Sequence, residues 1–300
     1  MLKLDDMQEA LNSPRVTAIV VTHNGAGTIQ TCIDSLLGST MNPNKQPTPS
    51  DSEASGPEWS ILVVDNASSD ETPSILEQYA SAGNIDFIPL ENNLGFGGGN
   101  NVGIRRALEL GAEYLFLLNQ DAFVEANTIE QLVGLMEEHR GCGVLSPLHL
   151  NETGDDLEWH FEEYGLKSTA DGRKWLEGEW PRIRGGVVGG GESRMDTLRN
   201  AQADSQTQLP TESLVSVDFV NAAAWMVRRT CFEEAGGFHP AFFMYSEDVE
   251  FLQRVRSLGF DVSVAVDCAV IHDRSENERK EKRGAGLKND PLRVYQGAVR

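Results

Sequence analysis

YLFLLNQDAFV (residues 114–124) contains an apolar run, Tyr114 to Leu118, that breaks off at Asn119-Gln120-Asp121 and then resumes. Such a run is a buried strand that ends on an amide and a carboxylate. The same unit recurs on either side of it. Val16 to Thr22 (VTAIVVT) is a β-branched run followed by a helical pattern from Thr28 to Leu37. Ile61 to Val64 ends at Asp65 ahead of a helix over Glu71–Ala80, and Ile85 to Leu90 precedes one over Asn101–Leu110. After the quoted stretch comes a helical pattern over Thr128–His139. Alternating units of this size specify an α/β fold with a mostly parallel sheet covered by helices on both faces. Ligands of such sheets bind beyond the carboxyl ends of the strands. That rule places Thr22–Gly27, Asp65–Asp70, Glu91–Asn101 and Asn119–Asp121 on one rim.

The 300 residues are read as a single domain. Two polar stretches, 39–59 and 189–213, are read as surface insertions, the second as a mobile loop. Beyond them the pattern gives strands at Leu214–Val220 and Ala222–Arg228 and a helix from Thr230. A helix in SEDVEFLQRVRSLG follows, with Ser246 as N-cap and Gly259 as C-cap, and then a last strand at Val262–Val266. With 46 acidic and 25 basic residues the chain carries a formal charge of −21, which repels nucleic acid and anionic membrane surfaces. Either this is a well-solvated surface suited to a salty cytoplasm, or a phosphorylated substrate needs positive charge supplied locally. Cys32, Cys142, Cys231 and Cys268 form no metal-like pairs and fit free thiols in a reducing cytoplasm. No stretch reaches membrane-spanning length, and the acidic start lacks the pattern of a signal peptide. A cytoplasmic protein is expected. The segment 273–288 concentrates positive charge, as a solvated tail or as a contact to a diphosphate or to a lipid-linked acceptor at the inner membrane face.

Several residues can carry chemistry. Asp65 can accept hydrogen bonds from a ribose or a base, or cap the next helix. The segment from Asn92 to Ile104 packs five glycines and four asparagines into thirteen positions. It suits close approach of a ligand, with a tight strand-to-helix connection as the plainer reading. No G-x-G-x-x-G fits it and the chain has no Gly-Lys-Ser/Thr, which disfavours a nucleotide-binding oxidoreductase and excludes a P-loop. Asn119 and Asp121, two apart in extended chain, present an amide and a carboxylate together. That suits Mg²⁺ or Mn²⁺ bridging to a diphosphate, or else a turn at the strand end. Glu247 and Asp248 open a helix, where a carboxylate kept ionised by the helix terminus can act as a general base, or simply compensate the helix dipole. His272 in VIHD is a metal ligand or a structural histidine.

The order of these pieces is more specific than any one of them. VTAIVVTHNG, ILVVDNASSDET, NNLGFGGGNNVGI, LLNQDA, GGFHPAFFMYSEDVEF and VIHD follow one another as in the family 2 inverting glycosyltransferases. Across residues 15–273 the chain particularly resembles the rhamnosyltransferase-like branch, which has the glycosyltransferase A fold, a Rossmann-like nucleotide-diphospho-sugar transferase fold. The resemblance implies a nucleotide-sugar-binding half (15–125), an acceptor-side and catalytic half (126–273) and a basic tail (274–300). It implies that Thr22, His23 and Asn24 hold the base, that Asp65 contacts base or ribose, and that Asn92, Gly95 and Asn100 shape the nucleotide-sugar pocket. Asn119-Gln120-Asp121 stands where the family has its Asp-x-Asp metal motif, so Asn119 lies in the donor site and Asp121 matches the metal-binding position. Asp248 corresponds to the catalytic base and His272 to a contact with metal or diphosphate. The implied reaction transfers a sugar from dTDP-rhamnose, or next a UDP-sugar, to a saccharide or lipid-linked acceptor in cell-surface polysaccharide synthesis. Four positions depart from the pattern. His239 and Glu250 stand where Asp is usual and Ala222 where glycine is, so the acceptor is open. Asn119 removes one charged ligand, so the metal is expected to bind weakly or to be dispensable. A catalytically silent sugar-nucleotide-binding relative is the remaining alternative. Nucleotidyl transfer is disfavoured, because THNGAGTIQ has no Lys or Arg.

Overall fold

The computed structural model of the protein describes residues 16–41, 59–180 and 213–274. The expected insertions and the basic tail fall almost wholly outside the described residues. The β-branched run forms β1 (Val16–Thr22). β2 (Trp59–Asp65) and β4 (Tyr114–Asn119) flank it in parallel, and β3 (Asp86–Pro89) extends the sheet beyond β2. Side chains along β1 alternate between two cores, which is why the run is apolar throughout. Ala18 and Val20 face α1 (Ile29–Leu37), α2 (Thr72–Ser81) and α4 (Thr128–Glu138). Ile19 faces the opposite core with α3 (Gly95–Glu109), α6 (Arg229–Ala235) and α7 (Glu247–Ser257).

Four further strands complete the main sheet: β5 (Ala122–Val124), β6 (Cys142–Leu150), β8 (Ala224–Arg228) and β9 (Asp261–His272). The order is β3-β2-β1-β4-β8-β6-β9-β5, with β7 (Leu214–Ser216) paired to β9. β6 and β9 are parallel, whereas β8 runs antiparallel to β4 and β6, and β5 and β7 antiparallel to β9. Between β6 and β7 a wide π-helical turn at Phe161–Gly165 and a 3₁₀ turn at Leu166–Ser168 lead to α5 (Ala170–Gly178). Among the described residues no helix is long and apolar enough to cross a membrane. All four cysteines are buried free thiols.

The structure corrects the start of α3, which begins at Gly95 rather than Asn101. Each interior glycine costs about 1 kcal/mol of helix propensity relative to Ala, so packing must supply the reason for them. A Cβ on Gly99 would stand 2.6 Å from Val21 Cγ1, one on Gly103 2.5 Å from Ile19 Cγ2, and one on Gly97 2.9 Å from Phe238 Cβ. These glycines bring the helix backbone onto the sheet and onto the loop before α7. The close approach they permit is to protein rather than to a ligand.

Candidate active site

Thr22, Asp65 and Asn119 end adjacent parallel strands, in register Thr22 with Asp65 and Val21 with Asn119. Gln120, which the sequence did not single out, ties this edge together. Its Oε1 accepts hydrogen bonds from Thr22 Oγ1 at 2.6 Å and from the His23 backbone N–H at 2.9 Å. Asn24 adopts a left-handed φ of 51° and bridges to the loop after β2. Its N–H donates to Ser68 Oγ at 2.8 Å and its Oδ1 accepts from Ser69 N at 2.8 Å. The Asp65 carboxylate is buried and accepts from both the backbone N–H and the hydroxyl of Ser68. It therefore shapes the loop, the more local of its two readings, at the edge where a ribose or base would sit. Thr22, His23, Asn24 and Asp65 are thus brought together.

The glycine-rich residues divide. Asn92 is exposed, and it is Asn93 that joins the framework, with its Oδ1 accepting from Asn66 Nδ2 at 2.9 Å and from Gly95 N at 2.8 Å. Gly95 has φ +75° and packs against the Phe243 carbonyl, which accepts from Phe96 N at 3.0 Å. Asn100 is 2% exposed and spends its amide inside α3, donating to Phe96 O at 3.0 Å. Asn92 and Asn100 are therefore not gathered with the Thr22–Asp65 edge by any hydrogen bond among the described residues.

Asn119-Gln120-Asp121 does not continue as extended chain, because residues 120–121 form a turn between β4 and β5. The expected side-by-side display of Asn119 and Asp121 gives way to another pairing. β5 pairs antiparallel with the end of β9, aligning Ala122 with His272, and Asp273 N donates to Asp121 O at 2.8 Å. This sets Asp121 Oδ1 3.5 Å from His272 Nε2, with the two side chains 18% and 4% exposed. A carboxylate oxygen and an imidazole nitrogen at this separation form a partial donor set for Mn²⁺ or Mg²⁺, whose other positions substrate phosphates and water fill. Among the described residues no three His, Cys, Asp or Glu side chains gather as a metal site. The pair therefore fits a cation shared with a substrate better than a closed structural site.

α7 carries the second acidic pair. Its position is fixed by Arg254, which binds Glu250 bidentately at 2.9 and 2.6 Å and donates to the carbonyls of Ala235 and Gly237. Asn101 on α3 closes the same turn through two 2.8 Å bonds to the Phe238 backbone. Ser246 stands at the N-cap with φ 71° but makes no capping bond. The Asp248 carboxylate accepts from the N–H groups of Val249, at 2.8 Å, and Ala222. Burial nevertheless pushes its pKa up to about 6, and burial followed by the charge of Asp248 pushes Glu247 up to about 7. Desolvation raises both carboxyls even though backbone N–H groups at the helix start act to lower them, so the helix terminus opposes the shift without cancelling it. Glu247 is 5% exposed and its Oε2 has no hydrogen-bond partner among the described residues.

A carboxyl whose folded pKa lies above its unfolded value holds an extra proton in the folded state, so stability falls as pH rises through that window. For Glu247 the window runs from 4.5 to about 7. Glu247→Gln removes the titration and is expected to raise unfolding free energy at pH 8 by about 1–3 kcal/mol, with little gain near pH 4.5. Denaturant unfolding at both pH values checks this, and an equal effect at both would contradict it.

The profile of the family described as "Glycosyl transferase family 2" matches residues 17–189, more than half of the chain. The chain belongs to glycosyl transferase family 2. It is 26% identical over 222 residues to the low-salt glycan biosynthesis hexosyltransferase Agl10 of Haloferax volcanii, a match covering 73% of this chain and 61% of that protein. It is 25% identical over 233 residues to N-acetylglucosaminyl-diphospho-decaprenol L-rhamnosyltransferase of Mycobacterium tuberculosis, covering 74% and 69%. The fold is similar to the mannosyltransferase PcManGT from Pyrobaculum calidifontis, solved in complex with GDP-Man and Mn²⁺. There the TM-score is 0.53, the identity 17%, and the coverage 86% of this chain and 56% of that one. The fold is that of the glycosyltransferase A class.

Proposed function

We propose that the protein moves a glycosyl group from a nucleoside diphosphate donor to a hydroxyl of a saccharide or lipid-linked acceptor, inverting the anomeric centre, in the synthesis of a cell-surface glycan. One observation carries the reading: the chain segments bearing Asp121 and Asp248 are both fastened to residues 222–223 at the end of one strand. Asp121 lies two residues beyond Asn119, whose N–H donates to Ala223 O at 2.9 Å, and Asp248 accepts from the adjoining Ala222.

In this reading the Thr22–Asn24 and Asp65 edge receives the nucleoside, and Asp121 with His272 receives the diphosphate end. Asp248 takes the acceptor O–H proton while that oxygen bonds to the anomeric carbon and the bond to the diphosphate oxygen breaks. A divalent cation held by Asp121 and His272 would supply positive charge to the departing diphosphate. A base that becomes ionised only above about pH 6 is matched to work near neutrality. The mycobacterial relative, named for rhamnosyl transfer to a lipid diphosphate, supports a rhamnosyl donor, which we take as dTDP-rhamnose, and a lipid-linked acceptor. The GDP-Man and Mn²⁺ of the structural neighbour support a nucleotide-sugar donor and a divalent metal. The basic segment after His272 is proposed to face that acceptor at a membrane surface.

The test is a thermal-shift and hydrolysis screen of dTDP-rhamnose, UDP-sugars and GDP-mannose with Mn²⁺, with NAD as comparator. At least one donor is expected to raise Tm and to release nucleoside diphosphate slowly without acceptor. Stabilisation by NAD alone would overturn the proposal, and binding without any hydrolysis would point to a silent relative.

A further inference from the structure

The chain has five tryptophans. Four are buried: Trp59 at 2%, Trp175 at 6%, Trp180 at 7% and Trp225 at 0% exposure. Trp159 is 57% exposed. An indole is a large apolar surface to leave in water, and here its backbone is rigidly held. The preceding residue, Glu158, is 5% exposed and its N–H donates to His149 O at 2.8 Å. Its carboxylate accepts from His160 N at 3.1 Å, His160 Nδ1 at 2.9 Å, Phe161 N at 2.9 Å and Arg274 Nη1 at 3.4 Å. Two rings then brace the indole at steep angles, His160 at 4.8 Å and 83° and Tyr164 at 5.7 Å and 82°.

We propose that Trp159 is the stacking platform of a subsite for the acceptor saccharide, receiving the C–H face of a pyranose beside the Asp121–His272 pair. The proposal rests on the glycosyl-transfer reading above and extends it to the acceptor. Continuity with the site carries it. Glu158 binds Arg274, whose N–H donates to His272 O at 3.2 Å, and His272 stands beside Asp121. On its other side the segment is tied to the chain that leads to Ala222 and Asp248. Asp218 N donates to Ser168 Oγ at 3.1 Å and Thr169 Oγ1 to Ser216 O at 2.8 Å. Trp159 thus directly follows a carboxylate held beside the chain that carries His272.

The surroundings select the ligand class. His160 and Tyr164 place polar groups beside the indole. A sugar ring satisfies these through its hydroxyls while its C–H face stacks, whereas an alkyl chain would desolvate them without replacing their bonds. A nucleobase belongs elsewhere. The β1–β2 edge assigned to it lies three strand steps from β6 in the sheet order, about 14 Å at the usual strand spacing.

Saturation-transfer NMR on the full chain tests this, with the methyl pyranosides of glucose, galactose, mannose, rhamnose and N-acetylglucosamine as probes and UDP in the same tube. At least one pyranoside is expected to receive saturation from the native protein. Its signal should fall about tenfold in Trp159→Ala and return largely in Trp159→Phe, with the UDP signal unchanged in all three. No transfer to any pyranoside, or equal transfer in Trp159→Ala, would overturn the subsite. Failure of the native protein to transfer saturation to UDP, or to dTDP or GDP added in its place, would count against the donor reading instead. Iodide quenching needs no variant. Because the other tryptophans are buried, a bound pyranoside must shield the quenchable fluorescence, and undiminished quenching at a concentration that gives saturation transfer also overturns the proposal.

Discussion

Asp248→Asn is expected to lower turnover by about 10²- to 10⁴-fold while leaving nucleotide-sugar affinity unchanged. The substitution is close to isosteric, and an amide oxygen can keep the hydrogen bonds from Val249 and Ala222 that hold the start of α7. What it removes is the ability to take a proton. In the native chain the rate should fall as pH drops through about 6, where burial has placed the carboxyl's titration. In Asp248→Asn the residual rate should lose that acid limb. Single-turnover kinetics with a saturating donor separate the effects, and a variant that keeps near-native turnover would remove Asp248 from the role of base.

Asp121→Ala is expected to weaken donor binding in the presence of Mn²⁺ by about tenfold or more and to abolish the difference made by a chelator. The carboxylate pairs with His272 at 3.5 Å, so its loss leaves an imidazole alone to face a cation and a diphosphate. Calorimetric titration of the donor, with and without chelator, reads both quantities. Donor affinity that is the same in both proteins and indifferent to chelator would mean that no cation is used here. Nucleoside alone should bind equally well to native and variant chains, because Thr22, Asn24 and Asp65 are held by Gln120 and Ser68 rather than by Asp121.

The rim of the site was legible because it follows from one rule. Apolar runs that stop at Thr22, Asp65 and Asn119 are parallel strands whose ends must lie together. Where the rule was extended to side-chain direction it failed, since the turn at 120–121 sends Asp121 toward β9 rather than beside Asn119. Gln120 was invisible because its role depends on which strand lies next door. β6 gave no clear strand signal, as CGVLSPLHL carries Ser146, Pro147 and His149 along a strand buried at every position. The register shift after Pro147 accommodates the missing N–H. The early start of α3 was hidden for a related reason. Local propensity argues against a helix in GFGGGNN, and only the closeness of Val21, Ile19 and Phe238 reveals why glycine is tolerated there. The glycosyltransferase A fold and the family were legible from motif order, whereas the exposed Trp159 and the carboxylate that anchors it lie in a segment without any motif.

The glycine-lined helix also ties early and late parts of the chain together. Residues 95–103 rest on β1 through Gly99 and Gly103, and on Phe238 and the Phe243 carbonyl through Gly97 and Gly95. This span is therefore seated both on β1 and on the loop that leads into α7. In descent or in engineering, a graft that imports a new acceptor portion must bring its own matching 95–103 along, because the smallest exchangeable piece of this molecule is set by backbone contact rather than by strand order.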